Sequence, residues 1–349
     1  MEICREHLGW RVKILKVTDF FYQQMNHPEV IKENLQLVAM IVTLTINPAL
    51  DKSTSVEKLI PEKKLRCSEV DLDAGGGGIN VSKAIKKLGG ESLALITSGG
   101  NNGKRLQEIL MNDGIRFRAV QVRSETRENF TAVDRSTNAQ YRFVLPGGEL
   151  LQAELEELLS EFKTLQPKPS FLVASGSLPE GVDEGFYASL AKMAKEQQIP
   201  LIVDTSGEPL LKAAREGVYL LKPNLSELCS MVGKEYLELD EIDEAARQVL
   251  DQGQCEVLIV SRGPAGALLV TRDLHENIAA PTVKKVSTVG AGDSMVGGMV
   301  WMLMQGEPLP NVVRFGIACG TAATMNPGTR LFKRQDAFRL YKWMLSGAV

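Results

Sequence analysis

Histidine is scarce in this 349-residue chain: His7, His27 and His275 are all it has. Three scattered imidazoles argue against a His-rich metal centre and against His-based acid–base catalysis. Cysteine is nearly as thin. Cys4, Cys67, Cys229, Cys255 and Cys319 stand far apart with no CxxC pair. That argues against a zinc site or a disulfide framework and fits a reducing, cytoplasmic setting in which thiols fill the core. Net charge is only −3, so the basic field that nucleic acid or an anionic membrane demands is missing. No apolar run is long enough to span a bilayer, and no signal-peptide pattern is present. Neither a GxGxxG dinucleotide fingerprint nor a Walker P-loop occurs, since Gly103-Lys104 lacks the glycine five positions earlier and the following Ser/Thr. What is there is an ordinary hydrophobic content of 44%, enough for one large α/β domain or two smaller ones.

The chain divides at Met40. Residues 1–40 hold no clear pattern, and Met40 stands directly before the first convincing strand, Ile41–Thr45. The lead reads as an over-long gene start or a disordered extension; the alternative is an extra surface helix. From residue 41 to 349 short β-branched runs alternate with helical periods. Leu93–Thr97 precedes Gly103–Asn112, Phe171–Ala174 precedes Glu184–Glu196, Pro200–Asp204 precedes Pro209–Glu216, and Val218–Leu221 precedes Leu225–Val232; Val257–Val260 follows as a further strand. Continuous apolar strands separated by helices predict a mostly parallel sheet covered on both faces. Ligands gather at the C-terminal ends of such strands, where this sequence places its polar punctuation. Residues 52–73 and 120–144 break the alternation with strands that lack intervening helices. They predict antiparallel hairpins forming a small separate sheet, a lid whose apolar face would need a partner.

Four stretches carry candidate chemistry. Ser287–Met295 joins small residues and Asp293 to an apolar helical period, so it predicts a loop opening a helix, whose N-terminus suits a phosphate or an oxyanion. Taken alone, Asp293 reads first as an ordinary first-turn acid and the glycines as a tight turn. Four glycines precede Ile79-Asn80 at the start of another amphipathic helix, as a flexible turn or as a loop lying against a substrate, with Asn80 facing hydroxyls. In Lys222-Pro223-Asn224-x-x-Glu227 the asparagine reads as an N-cap, or with Glu227 as a neighbour of hydrated magnesium. Ser261-x-Gly263-x-x-Gly266 is a turn that fits under a phosphate tail or an adenine ring. Lys64, Arg66, Arg127 and Arg142 sit in the lid segments, as phosphate forks or as solvated surface charges.

Together Gly76–Asn80, Lys222–Glu227, Ser261–Gly266 and Thr288–Asp293 closely resemble the ribokinase/PfkB family of sugar kinases, from Ile41 to Leu345. Asn47–Asp51, Lys64–Cys67, Gln140–Val144 and Gly328–Leu331 bring it nearest to the branch acting on fructose 6-phosphate. A lysine common in the glycine loop of fructose-1-phosphate and tagatose-6-phosphate kinases is replaced by Gly77, which favours that branch. The segment before Met40 departs from the family pattern. The resemblance implies a ribokinase-like three-layer α/β/α sandwich with a small antiparallel β-sheet lid. It implies transfer of a phosphoryl group from ATP to the C1 hydroxyl, with Asp293 as catalytic base and the N–H groups of Gly290, Ala291, Gly292 and Asp293 as anion hole. Asp51, Gly76, Gly77, Gly78, Ile79 and Asn80 would hold the sugar. Arg127, from this chain or a second copy, and Arg142 would reach the 6-phosphate. Lys64 matches a lysine tied to sugar phosphate and to inhibitory ATP. Lys222, Asn224, Ser261, Gly263 and Gly266 would hold ATP, and Glu227 would orient magnesium waters. Ser287, Val289, Ala323, Asn326, Gly328 and Arg330 would hold a monovalent cation, K+. The implied assembly is a homodimer through the lid, with a tetramer in the presence of ATP as a further state. A kinase for tagatose 6-phosphate or fructose 1-phosphate, and a non-catalytic sugar-phosphate sensor, are the competing readings.

Overall fold

In the computed structural model, residues 40–328 and 330–347 are described; the segment before Met40 and its two readings lie outside them. The strands are β1 (Ile41–Thr45), β2 (Ala49–Val56), β3 (Asp71–Gly75), β4 (Ser92–Ser98), β5 (Arg116–Gln121), β6 (Arg127–Asp134), β7 (Gln140–Val144), β8 (Phe171–Ser175), β9 (Leu201–Asp204), β10 (Val218–Leu221), β11 (Cys255–Ser261), β12 (Ala267–Val270) and β13 (His275–Ile278). The helices are α1 (Gly77–Lys87), α2 (Gly100–Asn112), α3 (Gln152–Lys163), α4 (Phe186–Glu196), α5 (Gly207–Glu216), α6 (Leu225–Met231), α7 (Ile242–Asp251), α8 (Ala291–Leu303), α9 (Leu309–Thr324) and α10 (Arg334–Leu345).

Nine strands form the main sheet in the order β13-β12-β11-β10-β9-β8-β1-β4-β5. It is parallel from β11 to β5, and β12 and β13 add antiparallel strands at one edge. The strand period of two sorts β1 between the layers. Val42, Leu44 and Ile46 join the core under α3 to α7, while Ile41 joins the core under α1, α8, α9 and α10. This is the expected three-layer α/β/α sandwich.

Helix α1 comes unusually close to the sheet. A Cβ on Gly77 would lie 2.3 Å from Ser175 Oγ, and one on Gly78 would lie 2.5 Å from the Leu44 carbonyl oxygen. Thr43 Oγ1 and Ser82 Oγ share a hydrogen bond of 2.8 Å, and Thr45 Oγ1 accepts from the Ile79 N–H at 3.0 Å. The glycines are therefore not a flexible turn. Gly77 and Gly78 are the first turn of α1, and their missing Cβ atoms let that turn sit on the ends of β1 and β8.

The small sheet has the order β3-β2-β6-β7. As expected it consists of two antiparallel hairpins; they join through a parallel β2–β6 pair. Its bounds differ from the sequence expectation. β2 starts at Ala49, and Val120 belongs to β5 at the edge of the main sheet. An edge strand with alternating burial has the same sequence period as a lid strand. The thiols also divide: Cys229, Cys255 and Cys319 are buried core, whereas Cys67 is exposed in the lid.

Candidate active site

The site forms where the C-terminal ends of β1, β8, β9, β10 and β11 meet the first turns of α1 and α8. Gly290 takes φ 69°, a conformation that costs a residue with a Cβ, and this bends the chain into α8. The N–H of Ala291 turns to the Thr288 carbonyl at 3.3 Å. Those of Gly290, Gly292 and Asp293 have no protein acceptor among the described residues. Three free donors at a helix N-terminus form an anion cradle, with Ala291 shaping the bend more than donating.

Asp293 sits half-buried in that turn. Its Oδ2 accepts from Asn80 Nδ2 at 2.8 Å, tying the first turn of α8 to the first turn of α1. Burial first, then the charge of Asp204, pushes its pKa up to about 6, against the pull of Asn80 and Lys222. A carboxylate with a pKa just below neutrality is matched to taking a proton from a hydroxyl. Asn80 Oδ1 is buried and has no hydrogen-bond partner among the described residues.

Lys222 follows β10 and is buried. Its Nζ lies 3.1 Å from Asp204 Oδ1 at the end of β9, and 3.7 Å from where a Cβ on Gly292 would stand, so its charge sits beside the anion cradle. Burial would lower its pKa, but Asp204, Glu227 and Asp293 more than offset that and hold it raised, so the ammonium stays charged. Asp204 is the site residue that sequence reasoning missed. It reads as part of an ordinary Asp-Thr-Ser-Gly turn, and the available signal was its place at the end of a buried parallel strand.

Asn224 fulfils the N-cap reading. It accepts from the Glu227 N–H at 2.9 Å, and Glu227 Oε2 accepts from the Asn224 N–H at 2.9 Å, a reciprocal capping box on α6. This fixes Glu227 beside Asp204 and Lys222. Burial, and to a lesser degree Asp204, raise the Glu227 pKa. Ser261 pairs with this segment, its N–H donating to the Pro223 carbonyl at 2.8 Å. Gly263 opens a 3-10 turn, and Gly266 closes it at φ 96°, where a Cβ would stand 2.0 Å from the Ile278 carbonyl oxygen. Gly266 is thus required by the β11–β12 reversal itself.

On the lid, cross-strand register puts Asp51, Asn129, Arg127, Arg142 and Gln140 on one face. Asn129 Nδ2 donates to Asp51 Oδ1 at 2.7 Å, and Asp51 lies against Gly75, next to the glycine turn. Arg127 is held over the site by its own chain, donating to the carbonyls of Asn47 at 3.2 Å and Leu145 at 3.1 Å. Arg142 is exposed on β7 and makes no hydrogen bond or ion pair among the described residues. Lys64 likewise stands free in the exposed loop between β2 and β3. Ser287 Oγ donates to Gln140 Oε1 at 3.1 Å, and Val286 and Ser287 both donate to the Thr324 carbonyl. The 286–289 loop therefore adjoins the end of α9, where Asn326 Nδ2 donates to the Ala322 carbonyl at 3.0 Å. Val289 is bound to Ser287 Oγ through its N–H at 3.2 Å, and Ala323 accepts from the Asn326 N–H at 3.1 Å. Gly328 turns the chain at φ 58°, and Arg330 points to Asp71 of the lid at 3.6 Å.

A carboxyl held near neutrality, three free N–H donors, a lysine and a carboxylate pair under a polar lid are the parts that phosphoryl transfer needs, here gathered on an α/β/α frame. Residues 40–336 match the pfkB family carbohydrate kinase profile. The chain belongs to that family. It is 43% identical over 302 residues to the ATP-dependent 6-phosphofructokinase isozyme 2 of Mycobacterium tuberculosis, covering 86% of this chain and 89% of the relative. It is 40% identical over 305 residues to the isozyme 2 of Escherichia coli, covering 87% and 98%. The crystal structure of Escherichia coli phosphofructokinase-2 in complex with potassium superposes with a TM-score of 0.85 at 39% identity, over 88% of this chain and 100% of that one. The same enzyme with fructose-6-phosphate gives 0.84 at 38% identity, with the same coverage.

Proposed function

We propose that this protein is an ATP-dependent kinase for fructose 6-phosphate, forming fructose 1,6-bisphosphate. The observation that carries the reading is the hydrogen-bonded Asn80–Asp293 pair set beside three free N–H donors and Lys222. The 6-phosphofructokinase relatives support the choice of sugar, as does Gly77, where even a methyl group meets Ser175.

Asp293 takes the C1 hydroxyl proton as the oxygen attacks the γ-phosphorus in line, and the leaving ADP oxygen departs on the opposite side. The N–H groups of Gly290, Gly292 and Asp293, with the Lys222 ammonium, hold the negative charge of the phosphoryl group in transit. Asp51 and Asn80 orient sugar hydroxyls, and Arg127 and Arg142 take the 6-phosphate. Lys64 stands at the lid margin, open to a second phosphate ligand. Lys222, Asn224 and the Ser261–Gly266 turn line the nucleotide side.

The donors present fit magnesium held through water. Asp204 and Glu227 are hard oxygen ligands, yet no group of three acidic, His or Cys side chains among the described residues is close enough to grip a bare ion. Bound magnesium would neutralise the phosphate chain. The 287–289 loop and the 323–328 turn offer hydroxyl, amide and backbone oxygens, a neutral set suited to a monovalent cation such as K+. The lid face opposite Asp51 carries exposed Leu72, Tyr141 and Phe143 beside half-buried Phe130, an apolar surface that a second copy of the chain would cover; pairing of such dimers into an ATP-bound tetramer would follow.

ADP release with fructose 6-phosphate, fructose 1-phosphate and tagatose 6-phosphate in parallel tests the reading. The greatest kcat/KM is expected for fructose 6-phosphate, with a further gain when K+ replaces Na+. Sugar binding without ADP release would leave a sensor in its place.

A further inference from the structure

Lys83 belongs to none of the roles above, yet it is one of the most buried cations in the protein, at 7% exposure. It projects from the second turn of α1 and reaches back to the lid strand β3. Its Nζ bonds Asp73 Oδ1, donates to the Ala74 carbonyl at 2.8 Å, and lies 3.7 Å from Asp113 Oδ2 at the end of α2. Asp73 is the direct cross-strand partner of Asp51, so the two carboxylates stand opposite one another on the same face of the β2–β3 ladder. Like charges so placed repel, and neither has been moved out of the site.

We propose that Lys83 is a positioning residue: it offsets Asp73 so that Asp51 stays ionised and free to accept a sugar hydroxyl. The inference rests on the reading of Asp51 as a sugar ligand. The groups around Asp51 are Asp73 on β3, Lys83 on α1, Arg127 and Asn129 on β6, and Asp293 on α8. Burial and Asp73 raise the Asp51 pKa; Asn129, Arg127 and Lys83 lower it. Asn129 is neutral, and Arg127 is also committed to the carbonyls of Asn47 and Leu145. Lys83 is the cation bonded to Asp73 itself, and among the described residues it bonds neither the ATP-side residues nor the anion cradle.

Three variants test this, with Asp51→Asn as reference. Lys83→Met is expected to raise the KM for fructose 6-phosphate about tenfold or more, with the KM for ATP unchanged. The acid limb of fructose 6-phosphate binding, read as a dissociation constant without turnover so that proton removal by Asp293 does not set it, should move to higher pH, because Asp51 loses a stabilising charge. Lys83→Arg should restore both. Asp73→Asn should move the same limb to lower pH without weakening the sugar, and combined with Lys83→Met it should recover part of the lost affinity. A lysine acting only as a mechanical clamp gives the reverse: Asp73→Asn would copy Lys83→Met instead of suppressing it, and the acid limb would stay in place. That result overturns the proposal. The Asp73→Asn arm stands even if Lys83→Met does not fold. If Asp51→Asn itself leaves the sugar KM unchanged, it is the assignment of Asp51 that fails.

Discussion

Replacing Asp293 by asparagine is expected to stabilise the fold while removing most of the activity. The carboxyl is held at about 6 rather than 3.8, mainly by burial and then by Asp204. A raised acid is a cost to the folded state. That cost is absent below the unfolded value, where both states carry the proton, and is complete once the pH exceeds the folded value. At 1.36 kcal/mol per pH unit, a difference of 2.2 (6 less 3.8) makes the ionised carboxylate cost about 3 kcal/mol at pH 7. Asp293 is only half-buried, so water screens part of this, and a gain of about 1–3 kcal/mol is the expected range. An amide of the same shape avoids the cost. It can accept from Asn80 Nδ2 as the carboxylate does, and can donate to Asn80 Oδ1, a buried acceptor that lacks a partner among the described residues. At about 2 °C per kcal/mol for a chain of this size, the melting temperature should rise by about 2–6 °C at pH 7.5. Turnover should fall by about 10²–10⁴, the loss typical of a general base. Melting curves at pH 7.5 and pH 5, with ADP release at pH 7.5, make the check. The stability gap should narrow as the pH falls through 6, since the parent protein then recovers its proton. A variant less stable than the parent at pH 7.5, or a gap identical at both pH values, would refute the argument. Near-normal turnover would remove Asp293 as base.

Two further changes separate the parts of the site. Lys222→Met leaves Asp204, whose side chain is 16% exposed, without the ammonium 3.1 Å away, and should cost up to about 3–5 kcal/mol of stability as well as weakening ATP; a variant with unchanged ATP affinity would take Lys222 out of the nucleotide side. Phe143→Asp places a charge on the outer lid face, where Phe143 is 52% exposed, and should abolish the proposed pairing of two copies, read in light scattering as the mass of one chain; a dimer that persists in the variant would move the interface elsewhere.

Much of the frame was legible because buried parallel strands are short, continuous and bounded by polar turns. Ile41–Thr45 and Val218–Leu221 were placed to the residue. Helix starts were less so. α2 begins at Gly100 and α5 at Gly207, three and two residues before the sequence periods suggest, because a glycine reads as a turn even where the chain needs it to begin a helix. The site residues were legible only jointly. Asp293, Asn80, Lys222 and Glu227 lie up to 213 positions apart, and nothing local distinguishes Asn224 as a cap from Asn224 beside a nucleotide; in the structure the cap is what fixes Glu227. Asp204 escaped notice because its role shows in a 3.1 Å partnership with Lys222, just past the end of the neighbouring strand.

The joint reading gives the glycines a second use, at the other end of the base. Asn80 reaches Asp293 only because α1 and α8 run close together, and that closeness depends on Gly297, where a Cβ would lie 2.5 Å from Ala84 Cβ and 3.2 Å from the Val81 carbonyl oxygen. Gly297→Ala gains helix propensity of about 1 kcal/mol but forces an overlap costing about 1–3 kcal/mol, so a net loss of about 0–2 kcal/mol is expected, within what a folded domain tolerates. Geometry should change more. Prising the helices apart draws Asp293 from Asn80, and a displacement of about 1 Å at a catalytic group can cost about 10²-fold in turnover. A fall of about tenfold or more in kcat, with the fold intact by circular dichroism, is therefore expected. Adding Ala84→Gly removes the opposing methyl and should return most of the turnover. If the double variant stays as slow as the single one, helix spacing does not set the base, and the Asn80–Asp293 contact is a consequence of the fold with no part in the rate.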